Sequence, residues 1–205
     1  MKLFDSQRAP NPRRVRWCMA EKNIEDIEIV PIDIFKGEHR TPEYRARTGL
    51  SNVPVLELDD GTAISESIAI CRYLESRYPE PNLFGHNARE IAIIEMWMRR
   101  AEMLLATPLM LAVRHSHPAL AALEKQVPEI AAAHLASAQQ ALPLFERRLG
   151  ESAFIAGDRL TIADIVAFTG LDFSRMIKFR PDESLLQVTR WAEAMRQRPA
   201  AAAGI

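Results

Sequence analysis

Three short segments in the first third of the chain combine residue types that could bind or activate a small ligand. The first is Asp5-Ser6-Gln7-Arg8-Ala9-Pro10-Asn11-Pro12-Arg13-Arg14-Val15, a polar loop between a strand candidate at Lys2–Phe4 and a helix. Asn11 suits the N-cap and Pro12 the first helical position, where a missing N–H costs nothing. Such a loop, at the end of a strand and the positive end of a helix, can hold an anion or lower the pKa of a bound thiol. An ordinary capped helix is the competing reading. The second segment is Val53-Pro54. Proline removes a ladder donor from a strand. Either a cis bond before the strand turns the Val53 N–H and C=O toward an extended peptide ligand, or a trans proline marks an edge strand. The third is Ser65-Glu66-Ser67, which opens an apolar helical run containing Ile68, Cys71 and Leu74. Free N–H groups and the Ser67 hydroxyl there can bind a carboxylate while Glu66 takes an ammonium, so a zwitterionic amino-acid head would satisfy both. A plain helix cap remains the alternative.

The elements that must position these residues separate into two regions. Strand signals lie at Lys2–Phe4, Ile27–Asp33 and Val53–Leu58, and Asp59-Asp60-Gly61 is a hairpin turn leading to a returning strand at Thr62–Ile64. Helices are expected at about 12–22 and 66–77, with a helical or irregular stretch near 42–48. After Tyr78-Pro-Glu-Pro-Asn-Leu-Phe-Gly85, whose prolines cannot continue a helix, the pattern is helical almost throughout. Residues 1–85 hold 5 alanines and residues 86–205 hold 24, and alanine has the best helix propensity. The reading is an α/β domain over 1–80, a linker at 81–86 and an all-α domain over 87–205. Ile91, Ile94, Met98, Met103 and Leu105 are expected on one face of the first long helix, and Ile130, Leu135, Ala138 and Leu142 on one face of a later one. Thr161-Ile-Ala-Asp164 reads as a structural capping box, and the Ala200–Ala203 tail as frayed.

Composition excludes several classes. With 26 Lys+Arg against 27 Asp+Glu the formal net charge is -1, which gives no electrostatic case for nucleic acid. No apolar run approaches the roughly 20 residues needed to span a bilayer, and the first residues lack the apolar core of a secretory signal. Cys18 and Cys71 form neither a disulfide framework nor a CxxC pair and are expected to be buried helical thiols. A cytoplasmic protein is the expectation. Arg13, Arg14 and Arg16 would favour an anionic ligand, with a solvated helix face as the default.

Taken in order, APNPRRVR, VPVLELDDGTAISES continuing into AICRYLE, PEPNLFG and FIAGDRLTIADI resemble the cytosolic glutathione transferase family, over nearly the whole chain. The resemblance implies a thioredoxin-like α/β N-terminal domain, an all-α helical C-terminal domain, and a homodimer. It implies glutathione as co-substrate, with no metal. Val53, beside a cis Pro54, would pair with the cysteinyl backbone; Glu66 and Ser67 would hold the γ-glutamyl head. His39, within GEHRTPEY, would face the glycine end.

One position departs from the family pattern. Ala9 stands where members with this loop type carry a Ser or Thr hydroxyl, and Asp5 roughly where others carry Tyr. Three substitutes are open: the Asn11 side chain, Ser6, or a water held by the helical domain near Arg114-His115-Ser116-His117. The last resembles the atypical yeast-type and bacterial members, which the RRVRWCMAEK and GDRLTIADI runs also resemble. A free thiol of pKa about 8.5 needs about 2.7 kcal/mol to fall two units. One well-aimed donor can supply that. The expected activity is conjugation of the glutathione thiolate to small hydrophobic electrophiles. A glutathione-dependent disulfide or peroxide reductase, and a non-catalytic binding module, stay open as alternatives.

Overall fold

The computed structural model describes residues 1–203 of the chain. Contacts divide it into two units, Met1–Pro81 together with the segment from Pro199, and Asn82–Arg198.

The first unit is built on a four-stranded mixed sheet in the order β2-β1-β3-β4, with β1 at Lys2–Asp5, β2 at Glu28–Pro31, β3 at Val55–Glu57 and β4 at Ala63–Ser65. β1 runs parallel to β2 and antiparallel to β3, and β3 pairs antiparallel with β4. The parallel pair needs a crossover, supplied by α1 (Pro10–Glu21). The β3–β4 hairpin closes where the sequence predicts, through Leu58 N–H to Thr62 C=O at 2.8 Å, with Asp60 accepting from the Thr62 N–H. α2 (Pro42–Thr48) starts at Thr41, whose hydroxyl accepts from the Tyr44 N–H. α3 (Ser67–Arg77) packs against α1 around Val15, Trp17, Cys18, Ile70, Cys71 and Leu74, all fully buried. Lys22 is buried too, and its ammonium is satisfied by Tyr78 C=O, Pro81 C=O and Glu75. Buried lysine survives only with such a full set of partners.

The second unit is helical: α4 (Ala88–Arg100), a π-helical turn over Ala101–Ala106, α5 (Thr107–Ser116), α6 (Pro128–Glu151), α7 (Ile162–Phe173) and α8 (Leu186–Arg196). α7 is largely apolar and is buried from Ile162 to Leu171. Its start is the expected capping box, with Asp164 also accepting from the Ile155 N–H and Trp191 Nε1.

The structure corrects three sequence expectations. Met103 and Ile130 are exposed, at 66% and 36%, because the buried faces run through Ile94, Met98, Ala101 and Leu105, and through Ala131, Ala138, Leu142 and Phe145. Ile91 is exposed as well. The segment read as a linker, 81–86, is not a loose one. Leu83 and Phe84 are buried, and Arg159 binds Asn82 and Glu90. Nor does the alanine tail fray: Pro199–Ala202 forms a 3-10 turn, with Ala201 only 3% exposed and its C=O accepting from Arg13 Nη2 at 2.9 Å. Finally, α1 begins at Pro10, two residues before the expected Pro12.

Candidate functional site

Strand register brings the three sequence segments to one end of the sheet. Phe4 lies opposite Val55, and Val55 opposite Ser65. The end of β1 at Asp5-Ser6, the approach to β3 at Val53-Pro54 and the end of β4 leading to Glu66-Ser67 therefore share an edge. A cis peptide links Val53 to Pro54. The register of β3 spans Val55–Glu57 on both neighbours, so Val53 stands outside the ladder with its N–H and C=O committed to neither strand.

Glu66 is the N-cap of α3, at φ 67° and ψ 117°. Only glycine enters that region without cost, so the surrounding structure holds this residue in strain of about 1–3 kcal/mol. Ser67 follows as the first helical residue, 5% exposed. The first-turn N–H groups of α3 have no intrahelical acceptor, which gives this corner the character of an anion site.

The start of α1 is differently equipped. Ala9, at φ -79° and ψ 136°, occupies the N-cap, and Asn11 lies inside the first turn, so the expected Asn11 cap is not formed. Pro10 and Pro12 have no N–H to offer, which makes the Asn11 N–H the single backbone donor among the first three helical residues. Asn11 Oδ1 is buried without a hydrogen-bond partner among the described residues. A half-turn of the amide presents Nδ2–H at the same place. Ser6 is buried, with its C=O accepting from the Ala9 N–H at 3.0 Å. Asp5 and Arg16 form a largely buried ion pair, and Arg16 also donates to Gln7 C=O, so the turn is held from below. Burial pushes the Asp5 carboxyl up, against the opposing pull of Arg16.

His39 lies in a 3-10 turn at Glu38–Arg40, 7% exposed, with Nδ1 buried and without a hydrogen-bond partner among the described residues. Burial, then the neighbouring Arg40 cation, holds its pKa below the ordinary histidine value. A buried orphan nitrogen is a cost that a ligand atom can remove.

His115 and Ser116 belong to the helical unit, in the last turn of α5. His115 Nδ1 accepts from the Val127 N–H at 3.3 Å, and Ser116 Oγ donates to Ala112 C=O at 2.6 Å. A backbone N–H can only donate, so the neutral His115 ring carries its proton on Nε2 and offers a donor there, not a base. Ser116 and His117 line a cavity of about 520 Å³ with Ala112, Leu135, Ile177 and Lys178.

Sequence reading missed Tyr44 at the sheet end and left the place of Arg14 open. Tyr44 donates its hydroxyl to Asn52 C=O beside Val53. Arg14, read as favouring an anionic ligand with a solvated face as the default, is 2% exposed and donates to Ser67 Oγ. Arg13, at 8%, is buried as well. Residues 13, 14 and 16 span too much of a helix circumference for all three to reach solvent, and that spacing was the available signal.

Residues 9–77 match the glutathione S-transferase N-terminal domain and residues 101–199 the glutathione S-transferase C-terminal domain. The chain belongs to the glutathione S-transferase family. It is 35% identical to glutathione S-transferase 2 of Saccharomyces cerevisiae over 202 residues, spanning 97% of this chain and 87% of that one. The crystal structure of Gtt2 from Saccharomyces cerevisiae superposes with a TM-score of 0.90, at 35% identity over 98% of each chain. A glutathione S-transferase domain-containing protein of Marinobacter aquaeolei VT8 superposes with a TM-score of 0.91, at 37% identity over 98% of this chain and 99% of that one. The sheet unit and the helical unit are accordingly the thioredoxin-like and all-α parts of a glutathione transferase. Among the described residues no helix is long and apolar enough to cross a membrane.

Proposed function

We propose that this glutathione transferase conjugates the glutathione thiolate to small hydrophobic electrophiles, with glutathione lying along the end of the sheet. The observation that carries the reading is the convergence of Val53, outside its ladder beside a cis peptide, with Glu66 and Ser67 at the start of α3. An extended peptide bearing a zwitterionic head matches that arrangement: its cysteinyl backbone pairs with Val53. Its ammonium meets Glu66, and its head carboxylate meets the Ser67 N–H and Oγ. His39 takes the glycine end.

The thiolate needs a donor, and Ala9 has none. Asn11 is the first choice, because its backbone N–H and its side-chain amide both lie in the first turn of α1, where the helix end is positive. Ser6 is the second. In the helical unit His115 and Ser116 would act on a water, with His115 Nε2–H as the donor. We further propose a homodimer in the cytoplasm; exposed Ile91, Met96 and Met103, on and beside α4, supply apolar surface for a second copy.

The test is retention on immobilised glutathione followed by conjugation of chlorodinitrobenzene. Retention with turnover is expected. Retention with no turnover of any electrophile or disulfide would leave a binding module, and turnover of disulfides alone would make the protein a reductase.

A further inference from the structure

Arg14 belongs to α1, yet its side chain is among the largest that the molecule encloses. Its Nη1 donates to Ser67 Oγ at 3.4 Å, and its C=O receives Cys71 Sγ–H at 3.8 Å. α1 thus meets α3 at this residue through side chain and backbone together. A hydroxyl that accepts from a guanidinium directs its own proton elsewhere. Ser67 is therefore set as a donor on the side away from Arg14, beside the first-turn N–H groups of α3.

The electrostatics point the same way. Arg14 is permanently charged, and it lies against the positive end of an 11-residue helix. Hydrogen bonds in series polarise one another, so a carboxylate bound through Ser67 also senses the guanidinium behind it.

We propose that Arg14 is a positioning residue of the glutathione site: it fixes the Ser67 hydroxyl as a donor toward the head-group carboxylate and polarises that donor. It acts through Ser67 without touching the ligand. The proposal rests on the assignment of Ser67 to the γ-glutamyl head.

Calorimetric titration with glutathione, and with the analogue in which the γ-glutamyl α-carboxylate is replaced by hydrogen, tests it. The wild-type protein should prefer glutathione by about tenfold or more, the scale of a hydrogen bond to a charged group. Arg14→Gln should remove most of that preference while leaving affinity for the analogue nearly unchanged. A purely structural arginine would weaken both ligands alike and keep their ratio, and that result would overturn the proposal. Arg14→Lys keeps the charge and replaces the planar fork by a mobile ammonium, so its ratio should be intermediate. If Arg14→Gln fails to fold, a wild-type ratio in Arg14→Lys overturns the proposal by itself. Ser67→Ala separates the two levels. A large wild-type ratio that survives this variant would refute the head-group assignment, whereas one that falls here but not in the Arg14 variants refutes only the role of Arg14.

Discussion

The Tyr44 hydroxyl donates to the Asn52 carbonyl at 2.8 Å, tying α2 to the loop that presents Val53. The ring stands edge-on to Phe4 at 5.9 Å, in a small apolar cluster with Val55 and the flanking Val53. Burial pushes the phenol up to about 12, so it remains a donor at any working pH. Tyr44→Phe keeps the ring and deletes the bond. Stability should fall by about 1 kcal/mol, and glutathione affinity by several-fold, because the Val53 backbone loses its brace. Thermal melts and calorimetric titration read the two effects separately.

Glu66 separates binding from folding. Its backbone lies where glycine is at ease, and its carboxylate is assigned to the ligand ammonium. Glu66→Gly should therefore leave the melting temperature unchanged or higher, while glutathione affinity falls by about 1.5–3 kcal/mol, the worth of a charged hydrogen bond. A variant that binds as tightly as the parent would remove Glu66 from the site.

His39 carries a pH signature. Its pKa in the folded protein lies below the ordinary value, so the ring is neutral near pH 7. A group depressed in this way contributes stability above its unfolded pKa of about 6.5 and loses it as pH falls through the folded value. If the glycine carboxylate of glutathione meets His39 as proposed, it favours the protonated ring. Glutathione affinity should therefore rise as pH drops from about 7.5 toward about 5.5, and His39→Gln should flatten that rise. Binding, not turnover, is the quantity to follow, since turnover also depends on the thiolate.

Gly170 on α7 faces the π-helical turn, and a Cβ placed on it would lie 2.5 Å from Ala106 Cα. Backbone cannot yield as a side-chain tip can. Gly170→Ala should destabilise the protein by about 1–3 kcal/mol or more, read as a lower denaturant midpoint. A midpoint matching the parent would mean that α7 and the π turn can part freely.

Asp164 is fully enclosed, and burial raises its pKa even though Ile155, Thr161 and Trp191 all donate to it. Asp164→Ala strands those donors in the interior. A loss of roughly 3–5 kcal/mol is expected from several buried groups left unpaired, enough to lower soluble yield sharply. Asp164→Asn, which keeps an acceptor, should lose less.

The sequence by itself determined the kinds of element and their order. Alternation, the Asp59-Asp60-Gly61 turn, the prolines near 80 and the Thr161–Asp164 box act within a few residues, so local physics sufficed for them. It also marked Val53, Pro54, Glu66 and Ser67 as candidates, since their types and neighbours carry the chemistry, while His39 came from the family resemblance alone. What only the tertiary structure decided was which residues meet. The Phe4–Val55–Ser65 register gathers three distant segments at one edge. Arg14 turns inward to Ser67, 53 residues away. The alanine tail folds back so that its carbonyl caps Arg13, 188 residues away in sequence. Side-chain burial depends on partners far along the chain, and a helical arginine or a run of alanines has the same local pattern whether it faces water or the core.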